Sequence, residues 1–370
     1  MQNGTKRIVL AGGGTGGHLF PALAVAEELE RRHPRASIEF VGASRGLERR
    51  LVPARGYSLR TLALGGIKGA SAVGRLRSAA AAGWAVLRCA MWMLRERPDV
   101  VIGVGGYASG PAVLAAVLLR VPTMVLEQNH FPGATNRWLA PRVDAVCLPS
   151  EAARARIGGR HFVTGNPVRR EFFEIDPPRI ADDRCLLVFG GSRGARSINR
   201  AMCAAVDELS RVRPRLNIVH QTGTEDEASV RSAYATYAGA YEARPFFEDM
   251  AARFAQADLV VCRAGATTLS ELCAAGRPAI LVPYPLAADD HQSHNAETLR
   301  QAGSAVVLRD GDLDGPSLAR AVADLVGDAD RLRTMARAAR GLARPHAAKS
   351  IADVADELMS GRLEQDNDVS

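Results

Sequence analysis

Residues 258–283 constrain the fold more than any other stretch. Asp258-Leu-Val-Val-Cys262 reads as a buried strand and Arg263-Ala-Gly265 as a tight loop. Ala266-Thr267-Thr268-Leu269-Ser270-Glu271 then opens a helix that stops at Gly276, before a second apolar run, Ala279-Ile-Leu-Val-Pro283. A parallel sheet built this way puts helix N-termini, with their unpaired N–H groups and positive dipole ends, at the carboxyl edge of the strands, where anionic ligands bind. Glu271 is expected in the first turn of that helix. A carboxylate there repels phosphate but accepts hydrogen bonds from vicinal hydroxyls such as those of a ribose. Thr268-x-x-Glu271 equally fits a capping box, and this segment alone leaves both readings open.

The same plan recurs. Arg7-Ile-Val-Leu-Ala11 leads through Gly12–Gly17 to a helix at Pro21–Arg32, and Val100-Val-Ile-Gly-Val leads through Gly105-Gly106-Tyr107 to a helix near Pro111. Cys185-Leu-Leu-Val-Phe189 begins it afresh with Gly190-Gly-Ser192-Arg-Gly194 and a helix over Ile198–Ser210. A chain of 370 residues is long for one core. Two doubly wound α/β domains with parallel sheets, facing across a cleft, are therefore expected. The polar segment Gly165–Arg184, with Asn166-Pro167 and Pro177-Pro178, reads as the linker. The boundaries fall at 1–166 and 167–344, with a C-terminal helix at about 345–360 expected to pack back on the first domain and a mobile tail at 361–370.

The glycines Gly12, Gly14 and Gly17 satisfy G-x-G-x-x-G, so a dinucleotide fold has to be weighed. That fold needs an acid at the end of the second strand, yet Glu39 lies inside Ser37-Ile-Glu-Phe-Val41, and only Arg45 follows to meet a 2′-phosphate. His18 stands at the mouth of this loop. It is either a packing residue at a helix start or, since histidine titrates near neutral pH, a general base toward a sugar hydroxyl. Thr123-Met-Val-Leu ends in Glu127-Gln128-Asn129, which brings a polar trio to the edge that holds His18 and Tyr107.

The net charge is +7, carried almost wholly by arginine, since Lys6, Lys68 and Lys349 are the only lysines. The balance favours an anionic partner: nucleic acid, a phosphorylated ligand or an acidic membrane surface. Ile67, Lys68, Arg75, Arg77, Trp84, Arg88 and Trp92 mix indoles, aliphatics and cations, with a helix expected through 72–96. Trp84, Leu87, Met91 and Leu94 follow helical spacing and read as core, while the mixture also fits a surface lying on anionic lipid. No run reaches the ~18 apolar residues of a membrane span, and no secretory signal is expected. The six cysteines lack metal-site spacing and read as reduced core residues of a cytosolic protein. Asp310-Gly-Asp312 matches the D-x-D of a metal-dependent sugar transferase only formally. It reads better as a turn before a helix at 316–326, so no metal or other cofactor is expected and a leaving diphosphate would rely on amides, a helix dipole and arginine.

In chain order, Gly13-Gly-Thr-Gly-Gly-His18, Gly105-Gly-Tyr107-x-Ser109-Gly-Pro111, Glu127-Gln-Asn129, Gly165-Asn-Pro-Val-Arg169, Gly190-Gly-Ser192-x-Gly-Ala195, Cys262-Arg-x-Gly-Ala266-x-Thr268-x-Ser270-Glu271 and Asp290-x-Gln292-x-x-Asn295-Ala296 resemble the motifs of the bacterial cell-wall N-acetylglucosaminyltransferases of the MurG type. The likeness runs from about residue 7 to beyond 350, and so many motifs in order are far more specific than one glycine loop. It implies a hexosyltransferase of GT-B type, inverting and metal-independent, peripheral on the cytoplasmic face of the cell membrane. Such an enzyme moves N-acetylglucosamine from UDP-GlcNAc to the 4-hydroxyl of the undecaprenyl-pyrophosphoryl-MurNAc-pentapeptide, giving a β-1,4 disaccharide for peptidoglycan.

Carried over, the resemblance places UDP-GlcNAc mainly on the second domain. Glu271 takes the ribose hydroxyls, the Ser192 loop the diphosphate, Phe247 the uracil side, and Arg169 lies near the nucleotide. Ala266, Thr267 and Gln292 read the sugar, within a donor segment running through Thr268, Leu269 and Ser270 to Glu271. Thr15, Gly16, Gly17 and Asn129 close from the first domain. The acceptor diphosphate is expected on Gly14, Gly105 and Gly106, with Tyr107 nearby. His18 is the leading general base, and Glu127 the alternative. Relatives often carry histidine where this chain has Leu126, and an aliphatic residue where it has Phe247, which leaves only a backbone contact to uracil there. A UDP-GlcNAc epimerase shares the two-sheet plan and the donor, and a nucleic-acid-binding protein would explain the charge but not the paired loops.

Overall fold

The computed structural model describes residues 5–44, 46–62, 72–180, 183–287 and 290–363, with backbone alone over 72–79. Of the sequence expectations above, Arg45, Ile67, Lys68 and the tail from 364 lie outside the described residues, as do the side chains of Arg75 and Arg77.

Two units divide the chain, Met1–Arg169 with His346–Ser370, and Arg170–Pro345. In the first, the strands are β1 (Arg7–Gly12), β2 (Ser37–Ala43), β3 (Ser58–Leu62), β4 (Val100–Gly105), β5 (Thr123–Leu126), β6 (Ala145–Leu148) and β7 (His161–Val163). The helices between them are α1 (Gly16–Arg32), α2 (Glu48–Ala54), α3 (Ala72–Glu96), α4 (Ser109–Leu118), α5 (Ala134–Leu139) and α6 (Glu151–Arg154). The strands form one parallel sheet in the order β3-β2-β1-β4-β5-β6-β7. Apolar alternation explains why β1 is central: Ile8 and Leu10 pack on one face with α1, while Val9 and Ala11 pack on the other among residues of α3 and α4. Strand order reverses between β1 and β4, so their carboxyl ends part and open a crevice.

The second unit contains α7 (Arg170–Phe173), β8 (Arg184–Phe189), α8 (Arg196–Ala204), α9 (Val206–Leu209), β9 (Leu216–Gln221), α10 (Glu227–Tyr234), β10 (Tyr241–Arg244) and α11 (Met250–Gln256). It continues through β11 (Leu259–Cys262), α12 (Ala266–Ala275), β12 (Ala279–Leu281), α13 (His291–Gln301), β13 (Ala305–Val307), α14 (Gly315–Val326) and α15 (Ala329–Gly341). Its parallel sheet runs β10-β9-β8-β11-β12-β13, with the reversal between β8 and β11. The last helix, α16 (Ala347–Ser360), belongs to the first unit. Ile351, Ala352, Val354, Ala355 and Leu358 join the cluster around Leu19 and Leu23, and Arg32 meets Asp353 and Asp356 at 2.8 Å each.

Three expectations need correction. Of the stretch 165–184 expected as a linker, the described residues up to 180 are docked: Phe172 is fully buried edge-on against Phe254, Ile175 and Ile180 are buried, and Arg277 donates to the Asp176 carbonyl at 2.9 Å. Its prolines and charges disguised a docked segment. The helix expected over 198–210 breaks at Ala205 into α8 and α9. On α3 the expected core stripe is the exposed one. Trp84 and Leu94 are 58% and 61% exposed, with Leu87 and Met91 also exposed, while the smaller Ala85 and Cys89, with Met93, face inward beside Ala112, Ala115 and Ala116. Small residues win that face because α3 and α4 pack closely there.

Candidate functional site

In the first unit the crevice between β1 and β4 is lined by glycine because backbone meets backbone. A β-carbon on Gly12 would stand 2.6 Å from the Gly105 carbonyl, and one on Gly106, at φ +81°, 2.4 Å from the Gly13 carbonyl. Thr15 caps α1 through its carbonyl, which accepts from the His18 and Leu19 amides. His18 therefore rises from the first turn, half-buried, with its Nδ1 3.2 Å from the Thr15 hydroxyl. Burial lowers its pKa below the ordinary histidine value, with Glu127 and then Glu48 pulling the other way. Burial thus favours the neutral ring over the imidazolium. In the tautomer that donates from Nδ1 to Thr15, the Nε2 lone pair can receive a proton.

Glu127 is buried and its carboxylate is saturated. It accepts from the Asn129 amide at 2.9 Å and side chain at 3.2 Å, from the Gly133 amide at 3.0 Å, and from Asn136 at 2.9 Å. A carboxylate with four donors shapes the 129–136 loop and has its acceptor positions filled. Gln128 is buried too, donating to the Val104 and Leu126 carbonyls at 3.2 and 3.3 Å. Tyr107 is exposed at the start of the loop into α4. Gly14, Gly16, Gly17, Gly105, Gly106 and Asn129 all stand at this edge of the first unit. The Gly14 amide, however, is not open to a phosphate, because Glu48 accepts it at 3.0 Å.

In the second unit the loops after neighbouring strands β8 and β11 stand side by side at the reversal. After β8, Gly191 and Gly194 adopt φ of +96° and +76°, and a β-carbon on Gly194 would stand 2.0 Å from the Thr222 carbonyl, so the loop carrying Ser192 is held tightly to the end of β9. After β11, Gly265 caps α12 from an extended conformation with no side-chain bond, so Ala266, Thr267 and Thr268 form the first turn at the positive end of the helix. The capping-box reading of Thr268 and Glu271 is therefore incorrect, and Glu271 lies in the second turn, because α12 starts directly after Gly265. Glu271 is 7% exposed, Thr267 and Leu269 are buried, and Ser270 back-bonds to the Ala266 carbonyl at 2.9 Å. Gln292 accepts from the Ala264 amide at 3.2 Å and the Tyr284 amide at 3.0 Å. Two donors fix its oxygen end.

Some expected positions fall elsewhere. Phe247 is buried under Arg253, 4.6 Å over its ring, and its amide donates to Gln221 at 2.9 Å. Its ring is thus closed to base stacking. Arg169 is grouped with the first unit, its guanidinium 4.6 Å over the Phe20 ring. Asp310 pairs with Arg263 and accepts from Ser197 at 2.6 Å, which occupies one arm of the formal D-x-D; Asp314 caps α14 in a capping box with Ser317. Trp92 is half-buried with Arg60 4.6 Å over its ring, whereas Trp84 and Arg88 are exposed. Sequence reading missed Glu48, Gln221 and Arg263. Gln221 left a signal as a polar residue at a strand end like Glu127 and Gln128, and Arg263 as part of the Cys262-Arg-x-Gly-Ala266 motif.

Paired parallel sheets, each with glycine loops at its strand reversal, are the architecture of the GT-B glycosyltransferases. Residues 8–148 match the glycosyltransferase family 28 N-terminal domain and residues 185–358 the family 28 C-terminal domain, and the chain belongs to this family. It is 45% identical over 356 residues, covering 95% of this chain and 93% of the relative, to a Myxococcus xanthus protein named UDP-N-acetylglucosamine--N-acetylmuramyl-(pentapeptide) pyrophosphoryl-undecaprenol N-acetylglucosamine transferase. A Syntrophotalea carbinolica protein of the same name is 47% identical over 347 residues, 93% and 97% of the two chains. The crystal structure of Acinetobacter baumannii MurG superimposes with a TM-score of 0.73 at 31% identity, covering 95% of this chain and 99% of that one. A UDP-GlcNAc 2-epimerase from Neisseria meningitidis, at 12% identity and a TM-score of 0.66 over 94% and 98% of the chains, shares the fold alone.

Proposed function

We propose that this chain transfers N-acetylglucosamine from UDP-GlcNAc to the MurNAc 4-hydroxyl of undecaprenyl-pyrophosphoryl-MurNAc-pentapeptide. The observation that carries the reading is a histidine at the strand reversal of a family 28 chain, its Nδ1 3.2 Å from the Thr15 hydroxyl and its ring packed against Gly105. His18 takes the acceptor proton as the hydroxyl attacks the anomeric carbon, and UDP leaves from the opposite face, so the configuration inverts to β. The saturated carboxylate of Glu127 supports His18 over Glu127 as the base. Amides of the Ser192 loop and of the first turn of α12 receive the charge growing on the diphosphate, a role that needs no metal or other cofactor. Glu271 holds the ribose hydroxyls and Gln292 the sugar.

The enzyme works peripherally on an anionic membrane surface at the cytoplasmic face. Supporting this, α3 exposes Trp84, Leu87, Met91 and Leu94 alongside Arg88 and Arg95. Among the described residues no helix is long and apolar enough to cross a membrane. The test is transfer of radiolabelled sugar from UDP-GlcNAc to a polyprenyl-linked MurNAc-pentapeptide. Label is expected in the lipid product. An unlabelled acceptor, or an epimer formed from UDP-GlcNAc alone, would defeat the reading.

A further inference from the structure

We infer that Glu48 is a positioning residue for this transfer: its carboxylate, seated beneath the glycine loop, fixes the loop that presents His18 and lends it a buried negative charge. Glu48 opens α2 and is 1% exposed. Its two oxygens take the Gly14 amide at 3.0 and 3.2 Å, and one also takes the Ala43 amide at 2.9 Å, so a single carboxylate ties the ends of β1 and β2 together. Three glycines make room for it. Added β-carbons on Gly13, Gly42 and Gly46 would approach its atoms to 2.8, 2.8 and 2.3 Å.

A negative charge buried under a loop that meets a diphosphate weakens that binding, and it removes one amide from the binding set. Acceptor affinity therefore does not account for it. The histidine does. Among the described residues the charged groups acting on His18 are Glu127 and Glu48, and both favour the imidazolium that forms when a hydroxyl proton is taken. Glu127 is committed to the 129–136 loop, whereas Glu48 is bonded to the backbone that leads into α1.

The inference rests on His18 being the base. The test follows kcat/KM for the polyprenyl acceptor against pH in the full chain, with E48Q and E48D. E48Q keeps the shape and an acceptor oxygen but removes the charge. The imidazole then holds its proton less well, so the acid limb moves about half a pH unit lower and the plateau falls about two- to threefold. E48D keeps the charge but withdraws it by one methylene, so the limb stays and kcat falls about tenfold as the loop that presents His18 shifts. A limb in E48Q that coincides with wild type overturns the inference, as does E48D moving like E48Q. If E48Q does not fold, E48D decides, and an unchanged kcat overturns it. Full activity in H18A would instead remove the base assignment, and this inference with it; a wild-type limb that depends on His18 beside a silent E48Q removes the inference alone.

Discussion

The imidazole of His18 lies against the α-carbon of Gly105, so closely that a β-carbon there would stand 2.7 Å from Cδ2 and 2.9 Å from Nε2. Gly105 also sits at φ +89°, a conformation that strains any other residue. G105A is expected to push the ring out of place and to lower kcat about 100-fold, the usual cost of an ångström of misplacement. The KM for UDP-GlcNAc should stay within about twofold, since the donor loops belong to the other unit. Steady-state kinetics with both substrates varied checks the split. A loss confined to the donor KM would contradict it.

Gly105 also shows what a sequence exposes and what it hides. Its strand, β4, was legible because six consecutive buried residues leave no polar face to confuse the pattern. His18 was legible because it follows a glycine loop. The exposed stripe on α3 was misread because periodicity reports that a helix has an apolar face, not which face its neighbours claim. Glu48 was invisible for a different reason. A lone acid opening a short helix is usually a dipole partner in solvent, and only the fold places it under Gly13 and Gly14, more than thirty residues earlier. Likewise β3 escaped notice, since an edge strand with the burial pattern exposed, half-buried, exposed, exposed, buried carries little apolar signal.

Gln221 joins the loop after β8 to the segment after β10, two parts of the proposed donor site, donating to the Gly191 carbonyl at 3.0 Å and accepting from the Phe247 amide at 2.9 Å. Q221L keeps the volume and strands a buried amide and a carbonyl, at about 1–3 kcal/mol. The Ser192 loop loses its brace. The KM for UDP-GlcNAc should rise about tenfold while the acceptor KM holds, and equal changes in both would count against a donor role.

Glu271 to alanine tests the ribose assignment. Removing a charged acceptor from two hydroxyls should raise the KM for UDP-GlcNAc by about 10- to 100-fold, with little effect on the acceptor. Calorimetric titration with UDP gives the same answer without turnover. An unchanged donor constant refutes the assignment.

His220 is buried between Asn199, 3.0 Å from Nε2, and Tyr234, 2.8 Å from Nδ1, and burial lowers its pKa from 6.5 to about 3. The unfolded chain binds a proton near pH 6.5 that the folded chain refuses until about pH 3. Stability from this group is therefore complete above pH 6.5 and falls on acidification, by about 1.4 kcal/mol per pH unit within that window. Melting curves from pH 7 to 4.5 should show a steeper decline in wild type than in H220Q. Parallel declines would mean that other groups govern the acid sensitivity.

The exposed face of α3 predicts how the protein meets lipid. Trp84 and Leu94 stand clear of the core, so serine at both positions should leave stability within about 0.5 kcal/mol of wild type. It removes the two most exposed apolar groups of the face, and partition onto vesicles with anionic lipid should drop at least about tenfold. Arg88→Glu acts through charge instead. Each arginine at an anionic surface contributes about 1 kcal/mol, so this change should weaken binding at low salt and lose its effect as salt rises. Transfer to a short-chain, water-soluble acceptor should be unaffected by either variant, because neither residue belongs to the loops around His18. If the serine variant sediments with anionic vesicles as wild type does, lipid contact lies on another face.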